Sequence, residues 1–190
     1  MLILTATFAA PAAAYERGGE CPSVTTFRPF SPWGDQREYV RIPGGSFDDD
    51  DFAWTGSGAA RVVPADNPFQ LGSRGIGSAL LSSGDSLTSP AICIDRSYPH
   101  LRFVARALAG PAKLGLAVTW EDARGNEKET VLDAQDAKQY RGWGVSRMVR
   151  LRDALPRHEE IRDVHVRFFV DRKAGTWLVD DVFIDPYKRG

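Results

Sequence analysis

Charge of one sign is missing from this chain. Its 25 acidic residues are balanced by 24 basic ones, which leaves a net charge of −1 over 190 residues. That balance gives no reason to expect DNA, RNA or an anionic membrane as partner, so any charge argument has to be local. Histidine is scarce too: His100, His158 and His165 stand alone, with no metal-ligand spacing among them. Gly-x-Ser-x-Gly, His-Glu-x-x-His, the P-loop and Gly-x-Gly-x-x-Gly are all absent, which removes the motif-bearing hydrolases, zinc peptidases and nucleotide enzymes. There is no apolar run long enough to cross a bilayer, no internal repeat and no low-complexity linker. The two cysteines, Cys21 and Cys93, have neither a Cys-x-x-Cys neighbour nor a histidine beside them, so metal or thiolate chemistry is not indicated.

What is present starts with MLILTATFAAPAAA, a short apolar segment ending in small residues that suit cleavage at Ala12-Ala13-Ala14. It reads as the remnant of a secretory signal peptide, residues 1–14. The alternative is a hydrophobic N-terminal strand. In an exported protein the even cysteine count predicts one disulfide, Cys21 to Cys93, and closing that loop would contribute roughly 4 kcal/mol on the chain-entropy model. Residues 15–40 are rich in proline, glycine and polar side chains, with isolated aromatics at Phe27, Phe30, Trp33 and Tyr39. They are expected to form an extended arm held by aromatic anchors, leaving residues 41–190 as one domain.

Within that domain, short apolar runs punctuated by Gly, Asp, Asn and Pro predict an all-β fold, a single antiparallel sandwich. Strands are expected at 38–42, 60–64, 77–81, 86–94, 101–109, 113–121, 127–132, 145–151, 163–171 and 176–185. Only 134–140 and 152–160 could form a helical turn or two. The alternation is cleanest where Val164, Val166, Phe168 and Val170 share one face and His165, Arg167 and Phe169 the other. Phe103, Ala105 and Ala107 likewise oppose Arg102, Val104 and Arg106.

Two motifs stand at the ends of the domain. The first is Pro43-Gly-Gly-Ser-Phe-Asp48, followed by Phe52-Ala-Trp54 and Gly77-Ser-Ala-Leu80; the second is Gly175-Thr-Trp-Leu-Val-Asp-Asp-Val-Phe-Ile-Asp185. Together they resemble the galactose-binding-like jelly rolls of secreted carbohydrate-binding modules, over roughly residues 40–187. The resemblance implies first and last strands side by side, with a structural Ca²⁺ where they meet and Asp48 and Asp180 as the matching ligands. It also implies a non-catalytic module that binds glycan at a cell surface or in the environment. Trp54, Trp120 and Trp177 are expected in the core.

Two sets of residues are candidates for the ligand. Trp33, Tyr140 and Trp143 lie in glycine-rich or polar surroundings and could stack on sugar rings, whose C–H faces are flat and apolar. Arg102, Arg106 and Arg167 could form a cationic floor for anionic glycan, with His165 beside them, if their strands are neighbours. The rival readings are a structural or adhesive surface protein contacting another protein, and a small hydrolase using paired carboxylates.

Overall fold

The alternating runs become strands whose apolar sides face each other across a core. The computed structural model describes residues 24–48, 53–65, 67–72, 75–94, 100–122, 124–151 and 163–185. Among them the strands are β1 (Val40–Arg41), β2 (Thr55–Ser57), β3 (Arg61–Pro64), β4 (Gly77–Ser82), β5 (Ser86–Thr88), β6 (Ile92–Cys93) and β7 (His100–Ala109). Then follow β8 (Leu114–Glu121), β9 (Glu127–Gln135), β10 (Gly144–Val145), β11 (Val149–Arg150), β12 (Asp163–Val170) and β13 (Thr176–Ile184).

They form two antiparallel sheets packed as a jelly-roll sandwich. Sheet A runs β10-β7-β13-β4-β3, with β1 also on β13 and β11 also on β7. Sheet B runs β2-β5-β12-β8-β9, with β6 also on β12. The first and last strands meet as expected, Val40 opposite Ile184 and Arg41 opposite Phe183. Between the sheets lie Phe103, Leu114, Leu116, Phe168 and Trp177, all fully buried. Each contributes about 1.5–3 kcal/mol by leaving water. Trp54 stacks on Phe168 and its indole donates to the Pro43 carbonyl at 2.9 Å, the Trp177 indole donates to the Ala112 carbonyl at 3.0 Å, and the Trp120 indole N–H is buried without a partner among the described residues.

The departures from the expected strands have local causes. The run at 86–94 breaks at Ser89-Pro90, because proline has no N–H for the ladder. The run at 145–151 splits at Ser146, whose main chain bonds Phe103 and whose carbonyl takes a side chain instead. β2 carries no apolar pattern, and all three of its residues are exposed, so alternation could not reveal it. At 134–140 the strand continues to Gln135, and the helical content is one 3₁₀ turn, Ala137–Gln139, capped by Asp136 accepting from the Lys138 amide. The stretch 152–160 lies outside the described residues, as do the segment 1–14 and Cys21.

Strict alternation along the closing strand would put Asp180 on the face of Val182 and Ile184, and the observed strand departs from it. Between Asp180 and Phe183 the closing strand advances three residues while β7 advances two, from Val104 to Arg102. The extra residue is a bulge with Asp181 at φ +48°. Trp177 and Val179 therefore face the core before it, Val182 and Ile184 after it, and Asp180 and Asp181 sit in the kink.

The arm packs on the outside of sheet A. Phe30, Tyr39 and Leu71 bury there against Val104 and Phe183, a second apolar cluster apart from the main core. A bridge pairs Phe27 with Tyr39 and folds the arm back on itself.

Candidate functional site

The two outer faces of the sandwich differ in what covers them. On sheet A, Arg102 is buried beneath the arm. Its Nη1 donates to Asp35 at 3.0 Å, its Nε and Nη2 donate to the Ser146 carbonyl at 3.0 and 2.7 Å, and its guanidinium lies 4.4 Å from the Phe30 ring centroid. Asp35 also accepts from the Tyr39 hydroxyl at 2.8 Å and from Arg37. Burial raises the Asp35 carboxyl, but the bonds from Tyr39, Arg37 and Arg102 outweigh it and hold the group below its ordinary value. Every part of Arg102 that could meet a ligand is used inside the protein.

On sheet B the described outward residues of β2, β5, β9 and β12 are half-buried or exposed, those of β8 are buried up to Thr119, and the register places them in three rows. Ser57, Ser86, Phe169 and Gly115 lie side by side; Thr55, Thr88, Arg167, Ala117 and Val131 form the next row; His165, Thr119 and Glu129 the third. A Cβ on Gly115 would meet the Phe169 ring at 2.2 Å, so glycine is what lets that ring lie down over β8. Arg167 reaches diagonally across β8 to Glu129 and makes a bidentate pair, Nε to Oε2 and Nη2 to Oε1, both at 2.8 Å. The pair arches over Ala117 and Thr119, which accounts for the burial of those two small side chains on an otherwise open face. The guanidinium also sits 4.9 Å from the Phe169 centroid. His165 Nδ1 lies 2.8 Å from the Ser89 carbonyl, which makes Nδ1 the donor and turns Nε2 away from that bond. The result is one aromatic ring, one planar ion pair and a border of hydroxyls, with Ser57 and Ser86 already 2.8 Å apart.

The expected residues divide between these faces and the interior. Arg102 and Arg106 belong to sheet A and Arg167 to sheet B, so the proposed continuous cationic floor does not exist: β7 and β12 are in different sheets and their arginines point to opposite sides of the sandwich. Tyr140 is no exposed platform. It is buried beside Trp177 with its hydroxyl donating to Gln135 at 2.7 Å, and burial pushes that hydroxyl up to about 12. Trp143 is half-buried against the second apolar cluster. Trp33 is 41% exposed, but its ring meets Phe69 edge-on at 5.1 Å, on the arm side. Arg167 lies on the open face, with His165 beside it. Phe169, Glu129, Thr88 and Thr119 complete it, and none was singled out from the sequence as a ligand contact. The parity of β12 had put Phe169 beside Arg167, but Glu129 enters only through strand register.

Asp48 and Asp180 lie at the closure of sheet A. Asp48 Oδ1 accepts from the Gly77 amide at 3.0 Å, while its Oδ2 is buried without a hydrogen-bond partner. The next residue, Ser78, donates its hydroxyl to Asp180 at 3.1 Å. The Asn67 amide bridges Asp180 and Asp181, with Nδ2 at 2.7 and 3.0 Å from them, and its own carbonyl accepts from the Phe69 and Gln70 amides. Arg41 pairs with Asp181 at 3.0 Å. Burial pushes Asp180 up to about 8 against the bond from Asn67, with the charge of Asp181 adding to the rise. Asp181 is raised by burial as well, and it also feels Asp48. Among the described residues no three Asp, Glu, His or Cys side chains are gathered around one point. The chemistry nonetheless fits a hard cation: carboxylate oxygens in excess of the one guanidinium, one of them orphaned. Asp48 Oδ2 and Asp180 would hold it, with main-chain oxygens supplying the remainder.

No protein-family model matches the chain, and no curated protein matches it either. Solved structures do match in fold. The CBM22-1 xylan-binding domain from Paenibacillus barcinonensis superposes with a TM-score of 0.57 at 13% identity, over 77% of this chain and 94% of its own. The CBM22-1 and GH10 modules of a Clostridium thermocellum endo-xylanase, complexed with xylohexaose, give 0.55 at 15% identity over 75% of this chain and 28% of theirs. TmCBM61, in complex with β-1,4-galactotriose, gives 0.51 at 18% identity over 77% and 98%. At such identities the likeness establishes the jelly-roll sandwich, which carries many functions.

Proposed function

We propose that this chain is a non-catalytic carbohydrate-binding module and that the outer face of sheet B holds the glycan. The observation that carries the reading is Phe169, laid over Gly115 and flanked by the Arg167–Glu129 pair amid serine and threonine hydroxyls, on the sheet face the arm leaves open. A ring offers the C–H face of a sugar an apolar partner. Arg167 keeps N–H groups beyond the two given to Glu129, and vicinal hydroxyls can accept from them while donating to the carboxylate. The likeness to xylan-binding and galactotriose-bound modules supports the same reading.

Native gels cast with soluble polysaccharides test it. Mobility retarded by at least one polysaccharide, and restored in Phe169→Ala, is the expected result; equal retardation of the variant removes the face from the proposal.

Export belongs to this reading. It is supported by the apolar start ending at Ala12-Ala13-Ala14 and by the pair Cys21 and Cys93. Thiol labelling of the denatured, unreduced protein should find no reactive cysteine. Calcium at Asp48 and Asp180 is the accompanying proposal, and EDTA should lower the melting midpoint; an unchanged midpoint rejects the ion. The partner is a glycan or a glycan-bearing surface component.

A further inference from the structure

We infer that the open face selects uncharged glycans, because Glu129 occupies the one arginine that faces the ligand among the described residues. The inference rests on the reading of sheet B as the glycan site and adds the ligand's charge class to it. Arg167 is the one arginine of the expected cationic floor that reaches this face, and one bidentate edge of its guanidinium is committed: Nε and Nη2 each meet a Glu129 oxygen at 2.8 Å. A uronate or sulfate approaching the guanidinium would have to displace a carboxylate already held in bidentate geometry, or sit beside it and repel it.

The remaining charges on the face are also negative. Residues 115, 117, 119 and 121 of β8 point outward, and so do 127, 129 and 131 of β9, because the extra residue of β9 falls between Val131 and Asp133. Glu121 and Glu127 are in register at the end of the face and both are exposed. Lys128, on the opposite parity, pairs with Asp122 at 3.4 Å rather than with either. Among the described side chains that point outward from β8, β9 and β12, one arginine therefore stands against three glutamates. Arg167 neutralised by Glu129 still offers donors and acceptors to hydroxyls, so the pair is suited to a diol and unsuited to an anion. The arrangement makes Glu129 a specificity residue: it reads charge and leaves the stacking ring alone.

The test is retardation in native gels containing xylan, β-1,4-galactan or a mixed-linkage β-glucan, compared with polygalacturonate at equal mass and low salt, for the wild type, Glu129→Gln and Phe169→Ala. The wild type is expected to be retarded by an uncharged polysaccharide and to run free in polygalacturonate. Glu129→Gln frees the guanidinium while keeping a side chain of the same shape, and should gain about tenfold in apparent affinity for polygalacturonate. Retardation of the wild type by polygalacturonate equal to that by any uncharged glycan overturns the inference and leaves the glycan reading standing. So does a Glu129→Gln protein that, with an unchanged melting midpoint, gains nothing toward polygalacturonate. A wild type retarded by no polysaccharide removes the glycan reading and this inference with it.

Discussion

Arg102 and Arg167 occupy equivalent positions, each on the outward side of a long strand near the middle of its sheet, and the protein uses them in opposite ways. Arg102 lies under the arm and joins Asp35, Tyr39 and the Ser146 carbonyl, buried and fully satisfied. Arg167 lies in the open, tied to one exposed glutamate. The strand pattern around the two is alike, and what separates them is whether another piece of chain covers the sheet. An arginine that is sealed in becomes part of the fold. One left at the surface keeps N–H groups beyond those its glutamate takes.

The largest difference between the two faces is expected at Arg102. Arg102→Ala leaves Asp35 buried with only the half-exposed Arg37 as counter-charge and opens the space over Phe30, so it should destabilise the protein by about 3–5 kcal/mol, read from denaturant unfolding. Arg167→Ala removes a half-exposed pair and should cost below about 1 kcal/mol in the same measurement. If the two variants unfold alike, the division between the faces is mistaken.

The closure of sheet A predicts a pH effect of intermediate size. Asp180 has its folded value raised above that of the unfolded chain, toward about 8. The folded form then binds the proton more tightly, so its advantage is complete below about pH 4 and is lost as pH rises through about 8. In EDTA the melting midpoint should fall over that window, and the fall should flatten in Asp180→Asn. A fall of equal depth in the variant assigns the effect to another group.

Gly115→Ala gives a small change in stability and a clear change in binding. Its Cβ meets the tip of the Phe169 ring, which can swing away, so the fold should survive with a loss of about 1–2 kcal/mol. Retardation by polysaccharide should drop with it. Retained binding would mean that the ring is not the platform.

Much of the fold was legible because burial imprints a period of two. β7, β8, β12 and β13 carry it over eight to ten residues and were found within a residue or two of their ends. β2 was missed, because a short exposed strand has no buried face to imprint. The candidate site was less legible. Parity set His165, Arg167 and Phe169 on one side, but it cannot say which strands are neighbours, and the cationic floor failed at that point. Glu129 comes from 38 residues away in sequence and meets Arg167 only because β8 lies between β9 and β12. Tyr140 misled because its surroundings are glycine-rich, yet the 3₁₀ turn it ends folds the ring inward against Trp177.

Whether the glycan sits on sheet B is decided by titrating a uniformly ¹⁵N-labelled sample with oligosaccharides cut from whichever polysaccharide retards the protein. Shifted amides are expected at Gly115, Ala117, Thr119, Glu129, Arg167 and Phe169, with those of Phe30, Asp35, Arg102 and Val104 unmoved. Shifts confined to the arm and the outer side of β7 would contradict it.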